Sequence, residues 1–212
     1  LYQRVFKYPI SLFVKTPKFI QQLFPSIIWR KENSQNNIWL TFDDGPSPEA
    51  TPFILKTLKE ENINATFFLI GNQIEKHPDL LDKIIADGHI VANHSYSHKN
   101  GWQSSLSNYL NDIEECQKLM PENKLFRPPY GKISPLKIRR VKKTYKIILW
   151  DIFSWDFHLK SKPEEIKKKV LKYTNSGSII VFHNNKNSLS KLKLILQETI
   201  QELKKKGFVF ST

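Results

Sequence analysis

Two adjacent carboxylates, Asp43 and Asp44, stand directly after a short apolar run at residues 38–40 and are followed by Gly45-Pro46. This pattern predicts a strand that ends in a turn, and ligand chemistry in α/β proteins gathers at the carboxyl ends of strands. Consecutive residues leaving a strand point in different directions, so one carboxylate can bind a metal while the other faces water or substrate. An ordinary turn explains Asp-Asp-Gly-Pro equally well, and the rest of the chain must decide.

A pair of histidines, His94 and His98, follows another predicted strand with a spacing of four residues. One helical turn would place both imidazoles on the same face. Two imidazoles and one carboxylate leave coordination positions for water, which is the arrangement of a catalytic rather than a structural zinc. Two surface histidines near a helix start are the alternative, and Asp43-Asp44 after a neighbouring strand favours the metal site.

Two more polar residues end predicted strands on the same side of the sheet. His183 follows the apolar run 178–182, which makes it a candidate general acid facing the same site. Arg127 precedes two prolines that stiffen its loop, and a rigid guanidinium beside Asp43 would hold that carboxylate ionised and fixed in direction. The other histidines lack such neighbours and are predicted to be structural or surface residues: His77, His89 and His158.

The elements that must position these residues alternate between short apolar runs and longer segments of helical spacing. The predicted strands are residues 38–42, 65–70, 89–92, 125–127, 147–150, 178–182 and 208–210. The predicted helices are residues 49–61, 73–87, 106–120, 134–143, 163–173 and 188–206. Such alternation predicts parallel strands joined by crossover helices. Seven strands favour a closed or nearly closed barrel whose strand ends bring the polar residues together.

Composition limits the alternatives. The 212 residues suit one domain at 38–212, preceded by a basic, Pro-containing N-terminal extension at 1–37 that is predicted to pack on it. A net charge of +13 favours acidic partners, but the lysines are scattered and no nucleic-acid-binding motif accompanies them, so we expect no nucleic acid. The lone Cys116 is predicted to lie in the core, and no apolar run is long enough to span a membrane.

The chain resembles the NodB-homology polysaccharide deacetylases, which are the carbohydrate esterase family 4 enzymes, over about residues 38–212. Residues 41–46 (TFDDGP) match the first motif of that family, and residues 94–98 (HSYSH) match the second. Residues 127–131 (RPPYG) match the third, while 155–157 and 181–183 resemble the fourth and fifth. The resemblance implies a distorted (β/α)7 barrel, and all five motifs occur in the family's order.

The resemblance also implies a divalent metal and an acetylated substrate. Asp44, His94 and His98 are the implied metal ligands, for zinc first and cobalt as an alternative. The implied reaction removes the N-acetyl group from a glycan that contains N-acetylglucosamine, such as chitin-like polymer, peptidoglycan or poly-N-acetylglucosamine. We expect a monomer at an extracytoplasmic or cell-envelope location; a cytoplasmic one stays open because no signal peptide is visible.

The remaining roles are carried over position by position. Asp43 is the implied catalytic base, and Arg127 orients it. Tyr130 supplies a backbone N–H as an oxyanion donor. His183 is the implied general acid, and Asp156 tunes it.

Four positions depart from the family's usual residues: Phe153, Phe157, Val181 and Asn184. None is a metal ligand, the base or the acid, so these departures bear on substrate range. Phe153 cannot hydrogen-bond Asp156 but excludes water around it, which predicts a stronger attraction between Asp156 and His183. Val181 and the motif aromatics are expected to shape a small apolar pocket for the acetyl methyl group.

Two other functions fit the same residues. An esterase could remove O-acetyl groups from acetylated xylan with the same site. A carbohydrate-binding pseudoenzyme would use the cleft without turnover, and the intact base, acid and metal-binding residues argue against it. Acetate release from the two substrate types separates these alternatives.

Overall fold

In the computed structural model of the chain, residues 14–31 and 35–212 are described. Within them, nine strands form one sheet whose ladders are all parallel. The strands are β1 (Ile27–Ile28), β2 (Asn37–Asp44), β3 (Thr66–Leu69), β4 (Ile90–Asn93), β5 (Leu125–Phe126), β6 (Lys146–Ile148), β7 (Ile152–Phe153), β8 (Ile179–His183) and β9 (Val209–Ser211).

The sheet order is β1-β6-β5-β4-β3-β2-β8-β7, and β9 pairs with the first residues of β2. Strand β2 is central, with Asp43 in register with Phe68 of β3 and with His183 of β8. Among the described residues no ladder joins β1 to β7, so the barrel is curled but open. The predicted distorted (β/α)7 architecture is confirmed.

Eight α-helices of the described residues connect these strands. They are α1 (Lys18–Leu23), α2 (Thr51–Glu60), α3 (Gly71–Lys76), α4 (Pro78–Ala86), α5 (Leu106–Gln117), α6 (Pro135–Val141), α7 (Pro163–Tyr173) and α8 (Lys186–Lys205). Side-chain caps begin two of them, since Ser105 accepts from the N–H of Asn108 and Asn185 from that of Ser188. None of these helices is long and apolar enough to cross a membrane.

The elements differ from the predicted ones in two respects beyond small shifts at their ends. The segment 73–87 is two helices rather than one, because His77 precedes Pro78 and takes a non-helical backbone. Strands β1 and β7, of two residues each, were not predicted. All seven predicted strands are present.

The core lies on both faces of the sheet. One cluster lies between the sheet and helices such as α2 and α8, with Phe42, Phe67 and Phe182 stacked at its centre. A second cluster includes Trp150 and Phe153 and extends to the back of the site. Cys116 is fully buried on α5, as predicted.

The described part of the predicted extension 1–37 contributes α1 and β1. Ile20, Phe24 and Trp29 are buried in the second cluster, and β1 pairs with β6. Residues 1–13 and 32–34 of the extension lie outside the described residues. The division at residue 37 stays a prediction.

Candidate active site

The carboxyl ends of the parallel strands bring the predicted site residues to one end of the sheet. Asp43 and Asp44 end β2, His94 follows β4 and Arg127 follows β5. His183 ends β8, with Asp156 just after β7. A cavity of about 350 Å³ is lined by five of the predicted residues: Asp43, Asp44, His94, His98 and His183. Tyr130 also lines this cavity, while Arg127 and Asp156 lie behind it, fully buried.

Asp44, His94 and His98 form a group that could hold a metal ion, since their ligand atoms all lie within 4.8 Å of one another. The Asp44 Oδ1 atom is 3.8 Å from His94 Nε2 and 3.3 Å from His98 Nε2. His94 Nδ1 donates to the Arg127 carbonyl oxygen at 2.8 Å, which leaves its Nε2 unprotonated as a ligand atom. Burial lowers the pKa of His94 to about 4, so this imidazole is neutral at pH 7.

The carboxylate of this group is held from the other side. Asn185 Nδ2 donates to Asp44 Oδ2 at 2.6 Å, which fixes Oδ1 toward the histidines. Burial would raise the pKa of Asp44, but the hydrogen bond with His98 and the nearby imidazoles lower it, so the group is a carboxylate. Two imidazoles and one oriented carboxylate fit a divalent cation that keeps open coordination positions.

The helical turn predicted for the two histidines is wrong. Residues 94–98 form a loop, with positive φ at Ser95 and His98, although the two imidazole centroids still lie only 5.1 Å apart. The side chain of Asp112 on α5 holds this loop, since it accepts hydrogen bonds from both the N–H and the hydroxyl of Ser97. The spacing therefore brings the histidines together through a loop that α5 supports.

Asp43 is paired with a buried arginine. Arg127 Nη1 lies 2.6 Å from Asp43 Oδ1, and both side chains are almost completely buried. The guanidinium also donates to Thr41 Oγ1 at 2.8 Å and lies over the Phe68 ring at 3.9 Å. Burial lowers the pKa of Arg127 while Asp43 raises it, and a guanidinium stays protonated in proteins. One oxygen of Asp43 is thus fixed by the pair.

His183 is paired with a buried carboxylate in the same way. Its Nδ1 lies 2.7 Å from Asp156 Oδ1, and its backbone N–H donates to Asp156 Oδ2 at 2.8 Å. Burial alone would lower the pKa of His183, but Asp156 raises it to about 9. Since Asp156 occupies Nδ1, the free Nε2 is the nitrogen that can exchange a proton with a substrate in the cavity.

Aromatic rings surround this histidine. The Phe153 ring is 5.4 Å from the His183 ring at 90°, and the Phe157 ring is 4.6 Å away. Phe153 is buried and stacks on Trp150 at 4.7 Å. The apolar cavity wall consists of Trp150, Phe153, Trp155 and Phe157. Val181, which was expected in this wall, is fully buried in the cluster behind it.

Tyr130 stands at the open side of the cavity. Its backbone is left-handed, with φ 60° and ψ 8°, a conformation that non-glycine residues rarely adopt. Its ring packs edge-on against the His98 ring at 4.5 Å and is 51% exposed. Such strained backbone clusters at functional sites.

Three residues that contact the predicted set were not found from the sequence. Ser154 donates to Asp156 Oδ1 at 2.7 Å, Asn185 holds Asp44, and Thr41 shares Arg127 with Asp43. Asn185 follows the same predicted strand as His183, so its position after that strand could have indicated that it lies near the site. Ser154 and Thr41 act through contacts that no spacing indicates.

The sequence of the chain is similar to those of known proteins. The polysaccharide deacetylase family matches the chain over residues 30–146. A peptidoglycan-N-acetylglucosamine deacetylase of Bacillus cereus is 34% identical over 195 residues, covering 88% of this chain and 90% of that protein. The peptidoglycan-N-acetylmuramic acid deacetylase PdaC of Bacillus subtilis is 33% identical, covering 71% of this chain but 33% of that longer protein.

A solved structure is also similar over nearly the whole chain. It is the Bc1960 peptidoglycan N-acetylglucosamine deacetylase in complex with 4-naphthalen-1-yl-N-oxidanyl-benzamide, with a TM-score of 0.85 and 30% identity. The match covers 91% of this chain and 93% of that one. The two chains therefore share one fold over nearly their whole length.

Proposed function

This chain belongs to the polysaccharide deacetylase family, and we propose that it hydrolyses the N-acetyl group of N-acetylglucosamine residues in peptidoglycan. The observation that carries the proposal is the joint placement of Asp43 with Arg127 and His183 with Asp156 around one cavity. One pair supplies a fixed carboxylate and the other a protonated imidazole. Amide hydrolysis needs both, one to accept a proton and one to donate it.

Asp44, His94 and His98 would hold a divalent cation in this mechanism. Zinc suits two imidazoles and a carboxylate, and cobalt is the second candidate. When bound, such a cation lowers the pKa of a coordinated water toward neutrality and polarises a carbonyl group. Asn185 keeps Asp44 turned toward the two histidines for this purpose.

Asp43 accepts the proton of the attacking water. Its carboxylate is next to the metal-binding Asp44 in sequence and lines the same cavity. Arg127 holds one oxygen of Asp43 at 2.6 Å, so the other oxygen is available to the water. The backbone N–H of Tyr130 is the proposed donor to the developing oxyanion.

His183 donates the proton that the leaving sugar amine requires. Asp156 on Nδ1 keeps the imidazole protonated and aims Nε2 at the cavity. The wall of Trp150, Phe153 and Phe157 accepts the acetyl methyl group. His183 and Asp43 thus give the site a proton donor and a proton acceptor that line the same cavity.

Acetate release tests the proposal. Peptidoglycan, chitooligosaccharide, poly-N-acetylglucosamine and acetylxylan are each incubated with the chain, with and without added zinc. We expect acetate from the N-acetylated substrates, with peptidoglycan turned over most efficiently, and we expect a chelator to stop the release. Release from acetylxylan alone would assign an esterase instead, while saturable binding with no release from any substrate would indicate a pseudoenzyme.

The metal-binding residues are tested separately from turnover. The double variant His94→Ala/His98→Ala should lose bound zinc and all acetate release while its circular dichroism spectrum stays that of the wild type. A full equivalent of tightly bound zinc in this variant would show that the metal lies elsewhere.

We further propose that the chain acts as a monomer at the cell envelope, where its substrate lies. The similarity to peptidoglycan deacetylases supports the location. Cell fractionation and sedimentation velocity test the two statements.

A further inference from the structure

The cavity beside the metal-binding group continues into a second, more open groove of about 620 Å³. Asp44 and His98 line both spaces. The other walls of the groove come from residues 45–49, from α3 and from the start of α8. The groove and the cavity are therefore two arms of one cleft, with the metal-binding group between them.

Lysines line both arms of this cleft. Lys76 ends α3 and Lys186 begins α8, and both line the groove, while Lys132 lines the cavity. Among the described residues, no ion pair within 4.0 Å neutralises any of the three. The N-terminus of the 20-residue helix α8 adds the positive end of its dipole to the groove.

One further acid besides Asp44 opposes this positive charge in the groove. Glu49 lines it, and its carboxylate accepts from the Ser47 hydroxyl at 2.9 Å. Hydrogen bonds from its own backbone N–H and from Ser47, followed by the charge of Lys186, lower the pKa of Glu49. Glu49 thus stays ionised beside Lys186 and weakens the attraction of that lysine for an anion.

We propose that this cleft selects glycan strands whose sugars on both sides of the reacting residue carry carboxylates. Lys76 and Lys186 would bind the acidic substituent at one end, and Lys132 the one at the other. The inference rests on the proposed function, because peptidoglycan is a strand of this kind: every second sugar carries an acidic stem peptide. A neutral N-acetylated glycan would occupy the same cleft without these contacts.

The test compares two forms of one substrate. Purified peptidoglycan strands with their stem peptides are used as they are, or after their carboxyl groups have been amidated with methylamine, which removes the charge and keeps the acetyl groups. For each form, kcat/KM is obtained from acetate release and Kd from equilibrium binding. The variants are Lys76→Gln/Lys186→Gln, Lys132→Gln and Glu49→Gln, with Lys193→Gln as the control. Lys193 is exposed on α8 and does not line the cleft.

The readout is the preference for the charged form over the amidated form. Each lysine removed should lower this preference about twofold to fivefold, the range of exposed charge pairs. Glu49→Gln should raise it, and Lys193→Gln should leave it at the wild-type value. An unchanged preference in the cleft variants, or an equal fall in Lys193→Gln, would overturn the inference.

The two proposals fail in different ways. If the wild type releases no acetate from either form, the deacetylase proposal falls, while the ratio of the two dissociation constants still decides the charge preference. If acetate is released equally from both forms by every variant, the deacetylase proposal stands and the charge preference is excluded.

Discussion

Two buried ion pairs border the cavity, and each fixes one of the two groups proposed to exchange a proton. The first pair joins Asp43, the proposed base, to Arg127, with 2.6 Å between Asp43 Oδ1 and Arg127 Nη1. The second pair joins His183, the proposed acid, to Asp156, whose carboxylate lies 2.7 Å from His183 Nδ1 and keeps the imidazole protonated. In each pair the fully buried partner is Arg127 or Asp156, while the group that faces the cavity is the one proposed to exchange a proton.

The supports of the two partners differ. Arg127 donates to the carbonyl oxygens of Ile148 and Leu149 and to the side-chain hydroxyl of Thr41, so the end of β6 and a side chain of β2 fix it. Asp156 accepts from one backbone N–H and from Ser154, and aromatic rings fill the space around its histidine. Removing one partner therefore has different consequences: a loss of position in the first pair and a loss of charge in the second.

The largest effect is expected from the base itself. Asp43→Asn keeps the shape of the side chain but cannot accept the proton of the attacking water, so kcat should fall about 10²–10⁴-fold. Bound zinc, measured by atomic absorption, should stay at the wild-type level because Asp44 is untouched. Loss of zinc with a normal rate at saturating metal would mean that Asp43 and Asp44 have exchanged roles.

Removing Arg127 should have the next largest effect on the rate and should also destabilise the fold. Arg127→Ala leaves the Asp43 carboxylate buried without its partner, which costs about 3–5 kcal/mol of unfolding free energy. The rate should fall about 10–100-fold, as for groups that orient a functional residue. Urea unfolding and acetate release measure the two effects. Arg127→Lys keeps the charge and should recover part of the stability; no recovery would mean that shape rather than charge matters.

The second pair should respond through pH. Asp156→Asn removes the charge that raises the pKa of His183 to about 9, and burial then lowers that pKa. Since the acid must be protonated, the alkaline limb of the pH–rate profile should shift to lower pH, with kcat at pH 7 falling about tenfold. An alkaline limb that stays in place would show that Asp156 does not control His183.

The same pair also links stability to pH. A histidine whose pKa is higher in the folded state than its unfolded value of about 6.5 stabilises the fold fully below that value. The contribution is lost as the pH rises through about 9. Unfolding midpoints in urea between pH 6 and pH 10 should fall less in Asp156→Asn than in the wild type, and parallel curves would contradict this.

The sequence predicted the strands and the convergence of the site residues because hydrophobic alternation and strand order suffice for both. It did not predict the two-residue strand β1 or the loop that replaces a helical turn between His94 and His98. That loop depends on Asp112 and on positive φ values, which are set by tertiary contacts. The hydrogen bond from Ser154 to Asp156 was not predicted either, because it depends on the folded path of the chain after β7.

The smallest effect is expected from a substitution at Ser154. It distinguishes the effect of the Asp156 charge on His183 from the effect of excluding water around the pair. Its hydroxyl donates to the same Asp156 oxygen that contacts His183, so it draws negative charge away from the imidazole. Ser154→Ala should leave that oxygen freer to attract His183, raise the pKa of the imidazole and shift the alkaline limb slightly to higher pH. The loss of position should at the same time lower kcat only about twofold to threefold, a fraction of the ~1.5–3 kcal/mol that a hydrogen bond to a charged group contributes, because the backbone N–H of His183 still holds Asp156. Ser104→Ala, whose hydroxyl bonds the backbone of Asn100 away from the pair, is the matched control and should change neither quantity. A shift to lower pH in Ser154→Ala would mean that water enters beside Asp156 when the hydroxyl is removed, and that the aromatic wall alone does not keep the pair dry.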